Sequence, residues 1–140
     1  MREKLVMAIA AVGLIGAAVP AWAHHSFAAE YDAKKPVRFT ATVTKVEWIN
    51  PHTWIHLEVK NKDGSTTEWM MEAGSPNTLI RRGIHKDALP VGTELVIDGY
   101  QARNGSNRVN GREVTYPDGR RLVLGSSGTG APDDEKLDTK

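Results

Sequence analysis

Val43-Thr-Lys-Val-Glu-Trp-Ile-Asn-Pro-His-Thr-Trp-Ile-His-Leu-Glu-Val59 is the stretch that decides the fold. Its second half alternates strictly. Thr53, Ile55, Leu57 and Val59 share one side, and His52, Trp54, His56 and Glu58 share the other, as the two-residue period of a half-buried strand requires. Asn50-Pro51 marks a corner between two strands, because proline cannot donate to a strand ladder. Upstream, Ala41 and Val43 lie on one face while Val46 and Trp48 lie on the other. That phase change predicts a bulge near Thr44–Lys45, which lets a long strand bend around a small barrel.

Moving outward, strands are expected from Val37 through the corner, over Thr53–Lys60 and over Thr66–Glu72, with Asp63-Gly64 turning the chain between the last two. Ser75-Pro76 opens a short helix that Gly83 ends, with Leu79 and Ile80 covering one end of the sheet. Strands follow over Glu94–Tyr100 and Arg108–Tyr116, and Arg121–Leu124 completes a last β segment. This order, β-β-β-α-β-β, predicts an all-β domain with one short helix: an OB-like five-stranded barrel, with a small β-sandwich as the alternative. The domain spans 37–124; 24–36 reads as an N-terminal arm anchored by Phe27 and Tyr31, and 125–140 as a disordered tail of Gly, Ser, Thr and charge.

Residues 1–23 have the form of an export signal. Arg2 and Lys4 precede the apolar run Leu5–Val19, and Ala21-Trp22-Ala23 is a small-x-small cleavage site. The run is shorter than the roughly 20 residues that span a bilayer, so no transmembrane segment is expected once it is removed. Cleavage there would begin the mature chain at His24, in an exported and periplasmic protein. Losing Arg2, Glu3 and Lys4 takes 18 basic and 17 acidic residues to 16 of each. Such a balance argues against nucleic acid as a partner. With no cysteine in its 140 residues, the chain has no disulfide framework, thiolate metal site or cysteine nucleophile.

His24-His25-Ser26-Phe27, Tyr31-Asp32, the block Val46-Glu-Trp48-x-Asn50-Pro51-His52-x-Trp54, Trp69 and Gly74-Ser-Pro-Asn77 together resemble a family of small exported bacterial proteins known as a domain of unknown function, number 6152. The resemblance runs from the leader to Leu124. It implies an exported OB-like β domain and supplies no activity, ligand or catalytic residue.

The residues themselves offer three constellations. A free His24 would present its α-amine and imidazole to one metal, and His25 would add a second imidazole. Nitrogen-rich sets of this kind favour copper as Cu(II). His52, at the turn edge, is the preferred third ligand; His56 shares its strand face but lies about 13 Å away on a regular strand. Against this stands the plainer reading of exposed histidines and a His52 that bonds the turn. Second, Trp54 shares its face with His56, which makes that face the candidate surface for a small ligand or an envelope protein, with no metal involved. Trp48 and Trp69 read as core. Third, Arg103, Arg108, Arg112, Arg120 and Arg121 read as a solvated face. Glu47, Glu58, Glu68 and Glu72 read as outward strand carboxylates. No nucleophile–base pair or phosphate loop stands out, so binding is expected rather than catalysis.

Overall fold

A computed structural model describes residues 26–125 and 130–132. The leader, His24, His25 and most of the expected tail lie outside them. Among the described residues there are six strands: β1 Tyr31–Glu47, β2 Trp54–Lys60, β3 Thr66–Glu72, β4 Glu94–Ala102, β5 Arg108–Thr115 and β6 Arg121–Val123. Helix α1 is Phe27–Glu30, α2 is Pro76–Arg81, and a short 3-10 turn covers Lys86–Ala88.

The sheet runs β3-β2-β1-β4-β5-β6, and a further pairing of β3 with β5 joins its ends. Five strands thus form a ring, with β6 an appendage on β5, and this is the expected OB-like, barrel-like order. All pairs are antiparallel except β3–β5. The alternation in β2 holds as read: Thr53 and Ile55 are fully buried and Leu57 nearly so, while Trp54 and His56 are only half-buried. The bulge also falls where the phase change put it, between Val43 and Lys45 in the pairing of β1 with β2.

One end of the ring is closed by α2 and the turn after it. Ser75 Oγ accepts from Thr78 N at 3.2 Å, which satisfies one of the free amides of the first turn. Gly83 ends the helix at φ 75°, a left-handed conformation that costs other residues strain. Leu79, Ile84 and Leu89 are buried in the main core with Val43, Ile55, Leu57, Met71, Leu95, Ile97 and Val109. Ile80 faces water instead of joining Leu79. Successive residues on a helix point about 100° apart, so with Leu79 in the core Ile80 is swung toward solvent.

Two boundaries differ from expectation. β1 starts at Tyr31 rather than Val37, because Tyr31 pairs with Ala102, past an irregularity that ends at Pro36. Within the stretch read as a tail, Ala131 is buried beside Phe27, Tyr31 and Ala102. These four form a second apolar cluster, with Tyr100 packed against it.

Candidate functional site

The corner after β1 brings His52 up to the end of β3. Thr53 N donates to Gly74 O at 3.0 Å, and Ala73 N donates back to Thr53 O at 2.9 Å. Both bonds hold the corner residues at the strand end. In the ladders, Trp54 stands opposite Glu72, and Glu72 opposite Asn110. Side chains from β2, β3 and β5 therefore meet in one row on the same face.

Glu72 is the centre of that row. It is buried, at 7% exposure, whereas strand alternation alone reads it as an outward carboxylate. The α1–β1 segment covers it. Tyr31 Oη donates to Glu72 Oε2, and Glu72 Oε1 contacts His52 Nδ1. Both carboxylate oxygens are thus engaged, as a buried carboxylate requires. Burial, then the hydrogen bond and charge of Glu72, push the Tyr31 phenol far above its ordinary range. The phenol stays a donor at any physiological pH.

Arg108 completes the cluster. Its Nη2 donates to Glu30 Oε2 at 3.1 Å and to Tyr31 Oη at 3.4 Å. Its guanidinium also lies 5.1 Å from the Trp54 ring centre and 5.9 Å from that of Tyr31, within cation–π range. Arg108 and the buried Arg112 correct the reading of this arginine set as a solvated face. Arg120, stacked on Tyr116 at 4.6 Å, and Arg121, 3.4 Å from Glu113, remain exposed. Trp54 is half-buried beneath Arg108 and forms a wall of the cluster.

His56 belongs to a different set. Its Nε2 lies 3.3 Å from Glu47 Oε2, near enough for an ion pair but outside hydrogen-bond geometry. Lys45 and then His56 hold the Glu47 carboxyl below its usual range. The two histidines of the strand face are thus served by separate carboxylates. Among the described residues, no three histidine, aspartate or glutamate side chains converge as a ready metal cage. His24 and His25, the other expected ligands, lie outside the described residues.

Glu72 and Arg108 were missed by sequence reasoning, and the role of Tyr31 was seen only as anchoring. The signal that points to them is a buried row formed by residues far apart in the chain: Tyr31 is 41 positions from Glu72 and 77 from Arg108. No local period carries that information.

A β ring closed at one end by a short helix, bearing a carboxylate-held histidine beside the Phe27–Tyr31 segment, defines a small β-barrel-like domain. The chain belongs to a family of unknown function, DUF6152, whose model matches residues 10–111. No curated protein and no solved structure matches it. Among the described residues, no helix is long and apolar enough to cross a membrane.

Proposed function

We propose that this is an exported metal-binding protein, periplasmic and non-catalytic, in which His52 Nε2 joins the N-terminal His24 and His25 around Cu(II). The observation that supports this reading is the contact of Glu72 with His52 Nδ1. A ligating histidine characteristically gives its other ring nitrogen to a carboxylate, which fixes the ring and raises the basicity of the ligating nitrogen. In turn Tyr31 steadies Glu72. The same segment carries Phe27, three positions after His24. Phe27 packs 5.9 Å from Tyr31, ring to ring. The three residues back to His24 reach about 10 Å further at most. An amine, two imidazoles and a third imidazole make the nitrogen-rich, tetragonal set that Cu(II) prefers.

The test is a copper titration of the exported protein, its first residue established by mass, followed by visible absorption and electron paramagnetic resonance. His52→Ala is expected to weaken binding by about 10- to 100-fold, and Glu72→Gln to weaken it within a similar range through the orientation of His52. Adding Met before His24 should change the nitrogen signature by displacing the amine. Spectra unaffected by the extension and by His52→Ala would reject the reading. In that case the Trp54 face as a metal-free docking surface becomes the account to pursue.

A further inference from the structure

We infer that the end of the ring opposite α2 is a binding site for an uncharged saccharide. The α2 end is sealed: Leu79, Ile84 and Leu89 sit in the core, and the turn before β4 binds Val43 through Gly92 N and Thr93 O. At the other end a groove of about 600 Å³ opens, lined by Val37, Phe39, Val59, Thr67, Trp69 and Asn107 among others. That volume lies within the range of small-molecule sites, roughly 300–1,000 Å³, and barrel mouths are a favoured place for them.

The lining has the two parts that sugar recognition needs. The first is a platform. Phe39 and Trp69 pair at 4.7 Å between ring centres with 41° between their planes, and both are only half-buried. A pyranose lays its C–H face on such rings as other apolar groups do. The second is a rim of neutral donors and acceptors for hydroxyls. The side-chain amide of exposed Asn107 has no hydrogen bond to the described residues, while its backbone oxygen accepts from Met70 N at 2.9 Å. Asn61 Nδ2 is committed to Ser65 and Thr67 at 2.9 Å each, which leaves its Oδ1 to accept.

Charge selects the ligand class. Arg38, the cation of the groove, is paired with Asp98 at 2.6 Å. An anionic ligand would have to compete with that carboxylate, whereas an uncharged sugar would not. The groove lies at the mouth of the ring, and the Glu72–His52 pair lies on its outer face near the α2 end, so this site does not depend on metal binding.

The experiment is a ¹H–¹⁵N NMR titration of the protein, kept metal-free with chelator, using the trisaccharide of N-acetylglucosamine. Saturable shifts are expected at the Trp69 indole N–H and the Asn107 side-chain amide. Asn107→Ala should weaken binding by roughly three- to tenfold, the worth of one hydrogen bond. Trp69→Ala should abolish it, but Trp69 also packs on the core, so the exposed Asn107 is the deciding substitution. The proposal is overturned by shifts that fail to saturate at about 10 mM sugar, beyond the millimolar limit of weak specific binding. Shifts centred on Trp54 would overturn it too, as would an Asn107→Ala variant that binds like the parent.

Discussion

Tyr31 shows how much one hydroxyl can decide. Its proton is held by burial and by Glu72, so replacing Tyr31 by Phe leaves a buried carboxylate one donor short. The expected loss is about 1–3 kcal/mol of unfolding free energy, measured by urea denaturation at pH 7. The same proton gives an alkaline signature. The folded phenol has its pKa raised above the unfolded value, so its contribution is complete below about pH 10 and is lost as pH rises beyond that, where only the unfolded chain releases the proton. Each such phenol steepens the fall by about 1.4 kcal/mol per pH unit. Burial raises the Tyr116 phenol in the same direction, so Tyr31→Phe should make the decline above about pH 10 shallower without abolishing it. An unchanged slope would mean that the Tyr31 phenol is not held buried against Glu72 in solution.

At the scale of elements, two glycines that pair across β4 and β5 answer to different neighbours: Gly99 to the backbone of β5 and Gly111 to β3. Gly99 pairs with Gly111 beside a register irregularity. A Cβ on Gly99 would run into the backbone carbonyl of Asn110 and come within 2.7 Å of Val109 Cγ2. On Gly111 it would meet the Met71 side chain, with Cγ at 2.5 Å. Methionine adapts and a ladder carbonyl does not. Gly111→Ala is therefore expected to cost about 1–3 kcal/mol and Gly99→Ala more, ranked by thermal unfolding; the reverse order would show the ladder yielding before the thioether. Local chemistry made many of the elements readable. The alternation of Thr53–Val59, the bulge after Val43 and the Ser75 cap each follow from a few neighbouring residues. The burial of Glu72 does not. Its strand is regular, and only the return of Phe27–Tyr31 over that face turns an outward position inward. The start of β1 at Tyr31 escaped for the same reason, since its partner Ala102 lies at the far end of β4.

For the molecule as a whole, the ring has one weak seam. β3 meets β5 only over Met70–Glu72 and Arg108–Asn110, in parallel, whereas β1 and β4 run antiparallel through Pro36–Thr42. Parallel pairing is slightly less stable per residue, and short stretches open first. Native-state hydrogen exchange should therefore find the β3–β5 amides released before those of β1–β4, in a step below global unfolding. Equal protection across both would make the ring a single cooperative unit.

The roof laid over Glu72 by Phe27 and Tyr31 makes the segment ahead of Pro36 part of the protein's interior. A protease that trimmed the protein back to Pro36 would leave most of β1 in place yet strip the shelter from a charged group meant to stay dry. Intactness of the front end would then be felt across that carboxylate, at the imidazole it steadies.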